Sequence, residues 1–135
     1  MKCCICGKEI EGYGNNPMPV AGTACCDECN NKVIVPLRVF LTTLRAQNLA
    51  ILITGSEVQL VQPKGRYFTL KELQGLVGGY IELAPRVFDD YLTVVDEEGL
   101  LKKKQFNNLS FKLFETDLVG NVLIVPKRIF EKPED

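Results

Sequence analysis

Leu37, Phe40, Leu41 and Leu44 recur at the interval i, i+3, i+4, i+7, and Arg38, Thr42 and Arg45 fall between them. That period puts the apolar side chains on one stripe of a helix and most of the polar ones on the other side. Pro36 suits the first turn, where a missing N–H costs nothing, so a connecting amphipathic helix is expected within residues 33–48. Leu49 to Thr54 then has the length and composition of a strand, and Glu57-Val-Gln-Leu-Val-Gln62 alternates with period two. Gly55-Ser56 between them signals a two-residue hairpin. Thr69-Leu-Lys-Glu72 is a capping box that opens a helix through Leu70, Leu73, Leu76 and Val77, and Gly78-Gly79 ends it.

Tyr80-Ile-Glu-Leu83 reads as a strand whose length Pro85 limits. Leu92-Thr-Val-Val95, Asp96-Glu-Glu-Gly99 and Leu100-Leu-Lys-Lys103 read as a second hairpin with a glycine-closed turn. Asn107 or Asn108 can cap a helix through Leu109, Phe111, Leu113 and Phe114. Val122-Leu-Ile-Val125 has the look of a buried strand stopped by Pro126. From residue 57 the expected order is β-α-β-β-β-α-β, with the 49–54 strand as an addition. The fold class is α+β: a mixed, mainly antiparallel sheet with two short helices on one face. We expect this domain over residues 49–128 and a charged tail over 129–135. Tyr80, Phe88, Tyr91 and Phe106 are expected to be packing rings rather than a stacking platform.

The first thirty residues show neither period. All six cysteines lie there, in Cys3-Cys4-Ile5-Cys6 and Cys25-Cys26-Asp27-Glu28-Cys29. A disulfide framework spreads its cysteines through the fold and needs an oxidising compartment. A redox dithiol needs only one Cys-x-x-Cys. Cys3-x-x-Cys6 and Cys26-x-x-Cys29, with nineteen residues between the pairs, instead match a structural zinc site. Two residues between ligands let one tight turn aim two sulfurs at a tetrahedral ion, and Gly7 can take the positive φ that such a turn requires. Cys4 and Cys25 are left as spares. Four thiolates leave no position for water, so one structural Zn2+ is expected, with no chemistry of its own. The spacer carries Gly12, Gly14, Pro17, Pro19 and Gly22 but few large apolar side chains. A zinc ribbon over residues 1–32 would therefore draw its folding energy from the ion, roughly 10–16 kcal/mol.

Composition narrows the chemistry. The 135 residues carry 16 basic and 17 acidic side chains, a net charge of −1, with no histidine and no tryptophan. No strong global field favours nucleic acid or membranes. Without histidine there is no His-based acid–base catalysis, no Ser-His or Cys-His triad and no His-ligated metal. Lys2 and three cysteines stand where a secretory leader would place its apolar run, and the longest apolar run, Leu49–Ile53, is far short of a bilayer span. A soluble cytoplasmic protein is the expectation.

Thr69-Leu-Lys-Glu-Leu-Gln-Gly-Leu-Val-Gly-Gly-Tyr-Ile-Glu-Leu83, Asp96-Glu-Glu-Gly99, an Asn at 107–108 and Val119-Gly-Asn-Val-Leu-Ile-Val125 together form a pattern. It resembles an uncharacterised domain family, a domain of unknown function of phages, mobile elements and bacteria, over about residues 57–126. Members tend to carry a leucine-rich helix, Val-Gly-Gly-Tyr-Ile-Glu, an Asn-Glu-Glu-Gly turn and a Gly-Asp/Asn-Val strand; Asp96 stands where Asn is common. The cysteine segment likewise resembles a zinc ribbon that accompanies phage proteins. The resemblance implies a genomic setting and no activity.

Asp96, Glu97 and Glu98 are candidate metal or acid–base carboxylates, although hairpin turns favour such residues for local reasons. Lys102, Lys103 and Lys104 are candidates for phosphate contact, but consecutive strand residues point to alternating faces. With no nucleophile–base pair and no open metal site, the expected function is a zinc-stabilised, non-enzymatic adaptor of phage or mobile-element origin that engages a host protein. One alternative is a nucleic-acid-binding zinc-ribbon protein, with Lys2, Lys8, Lys32, Arg38 and Arg45 beside the ion. Another is a protein that sequesters a nucleotide-like ligand, in a pocket bordered by Tyr80, Glu82 and the Asp96–Gly99 turn.

Overall fold

The computed structural model describes residues 1–130. Its strands are β1 (Ala50–Ile53), β2 (Val58–Val61), β3 (Ile81–Ala84), β4 (Tyr91–Asp96) and β5 (Val122–Pro126). They form one sheet in the order β2-β1-β5-β4-β3, and all four ladders are antiparallel. The 49–54 segment is thus no addition: β1 pairs with β2 on one side and β5 on the other. The apolar runs of β1 and β5 follow from this placement. Ile51, Ile53, Val122 and Ile124 face one core, while Ala50, Leu52, Leu123 and Val125 face a second core across the sheet. A strand covered on both faces has no reason to alternate.

Three helical segments run head to tail at the start of the chain: α1 (Asp27–Cys29), a π-helical turn (Asn30–Ile34) and α2 (Val35–Thr42). The helix therefore begins at the second cysteine pair, ahead of the expected residue 33. Pro36 stands in the first turn of α2, as expected, but within a helical run that has already begun at Asp27. A proline there lacks an N–H and crowds the carbonyl one turn back. The π turn, in which Val35 N donates to Asn30 O, widens the backbone immediately before that position. Leu37 and Phe40 are buried and Leu41 and Leu44 half-buried, on the face that their spacing predicted.

The remaining helices are α3 (Leu70–Val77), α4 (Asn108–Phe114) and α5 (Lys127–Phe130). Thr69 closes the expected capping box with Glu72, and Gly78 takes φ 87° at the end of α3. The expectation that both short helices share one face is overturned. Leu73 and Val77 of α3 pack in the second core, whereas Leu109, Leu113 and Phe114 of α4 pack in the first with α2. A helical stripe announces that it will be buried; it does not say against which side of a sheet.

The expected second hairpin is also corrected. After β4 the chain coils through successive turns, with Lys102 N donating to Glu98 O (2.9 Å), Lys103 N to Leu100 O (3.1 Å) and Lys104 N to Gly99 O (2.9 Å). Both edges of β4 are already paired, by β3 and by β5, so a returning strand would find no ladder to join. The order from β2 onward is β-α-β-β-α-β, followed by α5. Of the expected charged tail over 129–135, Ile129 is instead buried in α5, and 131–135 lie outside the described residues.

The first core is continuous from the cysteines to the sheet. Cys3, Ile5, Val20, Cys25 and Cys29 belong to the same cluster as Val33, Phe40, Tyr91 and Ile124. Phe40 is central to it, with its ring edge-on to Tyr91 at 5.7 Å and tilted against Phe88 at 6.1 Å. Polar ties reinforce the join: Arg38 donates to the carbonyls of Met18 (2.8 Å) and Asn16 (2.9 Å), and Lys112 of α4 donates to those of Cys4 and Ile5. Of the rings expected to pack, Phe88 and Tyr91 do so in the first core, Phe106 packs on Phe111 at 6.0 Å, and Tyr80 is largely exposed. Phe40→Ala should lower the unfolding free energy of the metal-loaded chain by about 3–5 kcal/mol. In urea denaturation one shared midpoint is expected; separate midpoints for the cysteine segment and the sheet would contradict a common core.

Candidate metal centre

Two local structures bring the sulfurs together. At the first pair, Cys3 N donates to Lys8 O (2.8 Å) and Gly7 N to Cys3 O (3.0 Å), and Gly7 sits at φ 79°. This knuckle closes a short antiparallel bridge between Lys2 and Glu9. At the second pair the geometry is helical. Cys26 is the N-cap of α1 and its sulfur accepts from Cys29 N (3.4 Å). One pair thus rides on a β-type turn and the other on the opening turn of a helix.

The thiol sulfurs of Cys3, Cys6, Cys26 and Cys29 all lie within 4.8 Å of one another. Sulfurs at the corners of a regular tetrahedron with bonds of about 2.3 Å sit about 3.8 Å apart. Cys6 Sγ and Cys26 Sγ are 3.8 Å apart. That separation is far beyond a disulfide bond of about 2.05 Å, and all six cysteines are free thiols. The donor set therefore fits a single thiophilic, tetrahedral cation. Cys4 and Cys25 stand outside the quartet, as the spacings implied. Burial, followed by the neighbouring thiol of Cys3, pushes both of these thiols up.

The protein prepares the centre for negative charge. Burial alone would raise the Cys3 thiol, but N–H groups of Cys6, Cys26 and Ile5 pointing at its sulfur outweigh that and lower it to about 6. Cys29 goes the other way: burial first, then hydrogen bonds donated by its S–H to Cys26, Cys6 and Cys3, push its thiol up. Four thiolates this close repel one another, and only a bound cation lets all four ionise. The knuckle N–H donors and the first turn of α1, whose N–H groups favour negative charge, ease the same burden.

The other sequence candidates fall into an ion-pair cluster and an acidic groove beside it. Asp96 is buried, and its Oδ2 takes Lys102 Nζ at 2.9 Å and Lys104 Nζ at 2.7 Å, while its Oδ1 accepts from Glu98 N at 2.9 Å. The Lys104 ammonium foremost, opposed by burial and helped by Lys102, holds the Asp96 carboxyl well below the usual range. A carboxylate so occupied is neither a metal ligand nor a base. The same ammonium groups donate to the last carbonyls of α3, Lys102 to Gly78 O (3.2 Å) and Lys104 to Val77 O (2.9 Å). Lys103, at φ 56°, joins neither contact. Tyr80, Glu82, Glu97 and Glu98 are exposed. Glu82 and Glu97 do meet, with Leu100 and Asp117, around a groove of about 140 Å3.

Sequence reasoning missed why Gly79 follows Gly78. A Cβ on Gly79 would stand 2.6 Å from Asp96 Oδ1 and 2.5 Å from Lys102 Nζ, so only glycine lets the chain pass the ion pair. It also read Asn107 only as a cap. Asn107 Oδ1 does accept from Ser110 N (2.9 Å), but its Nδ2 donates to Ile53 O (2.9 Å) and Gly120 O (2.8 Å), tying β1 to the turn before β5. Asn121 similarly reaches Leu76 O of α3 at 3.2 Å. The Gly-Gly, Asp-Glu-Glu-Gly and Gly-Asn segments are thus contiguous in space and hold each other in place.

A family model described as "Domain of unknown function (DUF3846)" matches residues 49–129, more than half of the chain. The chain belongs to that family. The match takes in β1 as well as the segments noted from the sequence, and leaves the cysteine module and α2 in front of it. Comparison with curated proteins and with solved structures gives no match. Among the described residues no helix is long and apolar enough to cross a membrane.

Two outcomes are expected. One metal ion per chain should be measured by mass spectrometry of the purified protein; serine at Cys3, Cys6, Cys26 or Cys29 should remove it, and Cys4→Ser should not. Asp96→Asn should destabilise the protein by roughly 2–4 kcal/mol near neutral pH, below the full penalty of a wholly buried pair because the lysine heads keep water contact. Because folding lowers this carboxyl from its ordinary 3.8, its contribution is complete above about pH 5 and is lost as acid protonates it. The gap between wild type and Asp96→Asn in denaturant midpoints should therefore narrow below that pH.

Proposed function

We propose that this DUF3846 protein is a non-enzymatic adaptor, shaped by one structural zinc ion, that binds a partner protein along the free edge of β3. The observation that supports this most is the set of apolar side chains left in water there. Tyr80 and Leu83 are 65% and 55% exposed, and Leu100, which shares the groove with Glu82, is 79% exposed. An uncovered edge strand carries unpaired backbone groups that an extended segment can join, with side-chain contacts adding selectivity. Glu82, Glu97 and Asp117 around the groove favour a segment with basic residues beside its apolar ones. Zinc is the cation that four closely spaced thiolates and a tetrahedral gap suit best, and a saturated tetrathiolate centre serves architecture.

The rival readings receive less support. Lys102 and Lys104 are engaged with Asp96 and with α3, so they do not form a phosphate-binding stripe. The groove beside Tyr80 and Glu82 is acidic and smaller than the several hundred Å3 typical of ligand pockets, which disfavours a nucleotide there. A phage or mobile-element protein acting on a host protein in the cytoplasm remains the setting that the sequence resemblance favours.

The test is quantitative capture from a bacterial lysate with zinc-loaded bait. A partner should be enriched by wild type and lost at least about tenfold with Leu100→Arg or Leu83→Arg, while Leu70→Arg, an exposed apolar site on α3, should leave it bound. Equal capture by all three variants, with unchanged melting temperatures, would refute edge binding. Enzyme-like turnover of a nuclease, phosphatase or nucleotide-hydrolysis panel would refute the non-enzymatic reading.

A further inference from the structure

A second site lies between the loop after α2 and the loop before α3. Gln47, Asn48, Arg66, Tyr67, Arg128 and Ile129 line a cavity of about 380 Å3. Two arginines line one space, and among the described residues no carboxylate lines it. The nearest acid by contact is Asp90 at the rim, which accepts from Gln47 Nε2 at 3.4 Å.

The walls are fixed by packing. Phe68 and Ile129 are buried in the second core and joined by Phe68 N donating to Ile129 O at 2.8 Å, which sets Arg66 and Tyr67 beside Arg128. Arg128 Nη1 donates to Ala46 O at 3.3 Å, which orients the group while leaving further N–H donors of its planar fork. Gln47 and Asn48 bring amide side chains to the lining, that of Gln47 held by Asp90, and half-buried Tyr67 adds an aromatic residue to it. Arg38, by contrast, uses its donors on the carbonyls of Met18 and Asn16, holding the fold together.

We propose that this cavity binds a phosphate monoester bearing a planar group, of the size of a nucleoside monophosphate. Guanidinium forks match phosphate oxygens two at a time, an aromatic wall accepts a base by stacking, and the volume falls at the lower end of small-molecule pockets. The ligand is a free nucleotide or the phosphorylated end of a nucleic-acid strand, which present the same chemistry.

Zinc-loaded full-length protein would be titrated with adenosine monophosphate, adenosine, inorganic phosphate, and a short oligonucleotide with and without a 5′-phosphate, followed by backbone amide shifts. Adenosine monophosphate should move the amides of Gln47, Asn48, Tyr67 and Ile129, and adenosine should not. Arg66→Gln and Arg128→Gln should each weaken binding by about tenfold or more. Tyr67→Leu should weaken the nucleotide but not inorganic phosphate. Tighter binding of the 5′-phosphorylated strand than of the nucleotide would assign the strand end as the ligand. The proposal is overturned by the absence of shifts at these amides, by equal binding of the strand with and without its phosphate, or by unchanged affinity in an Arg66→Gln/Arg128→Gln variant that melts as wild type does.

Discussion

A sheet whose central strands are apolar on both sides must be covered twice, and that requirement organises this molecule. Buried β1, β4 and β5 present Ile51, Tyr91, Val95 and Ile124 to one side and Leu52, Leu92, Val94 and Leu123 to the other. On the second side α3 and α5 suffice. On the first, α4 is joined by α2 and by the cysteine module, whose own spacer has too little apolar bulk to hold a shape. A cation held by the four clustered thiols would make this weakly hydrophobic segment rigid enough to act as half of a lid. The four thiols are drawn from a knuckle and a helix start, and the helix that begins at the second pair carries Val33, Leu37 and Phe40 onto the sheet.

The end of β4 depends on a charge. Asp96 closes that strand, and two lysines from the turns that follow meet it together with the carbonyls at the end of α3. A carboxylate buried there without those ammonium groups would be strongly unfavourable, so the turns from Glu97 to Lys104 are held in place although Leu100 and Leu101 gain no cover from them. The absence of a side chain at Gly79 makes the approach sterically feasible. Within the acidic turn and the lysine run that look most like chemistry in the sequence, the side chains of Asp96, Lys102 and Lys104 close the fold.

What was readable in the sequence was local. The spacing of the four cysteines, the capping box at Thr69, the stripe through Leu37 and Phe40 and the apolar runs of β1 and β5 each reflect forces acting within a few residues, and each has its expected counterpart in the structure. What was not readable was set by distant partners. Leu100 to Lys103 have a composition that permits a strand, but the neighbours of β4 were already taken by β3 and β5, a fact about topology. The side of the sheet that each helix covers, the double role of Asn107, and the placing of Arg66 and Arg128 on one cavity by the Phe68–Ile129 bond all belong to that class.

The order of synthesis gives the sheet's arrangement a further meaning. β1 with β2, and β3 with β4, are hairpin-like neighbours that can associate early, yet neither pair touches the other except through β5, which is made after all four. Until that strand emerges, a nascent chain holds two separate ribbons with open apolar edges. Non-local pairing of this kind is slow and leaves partly made chains exposed to aggregation. Translation that stops before Val122 would therefore leave the growing protein not slightly shortened but without its middle, a product for chaperones and proteases rather than a smaller folded domain.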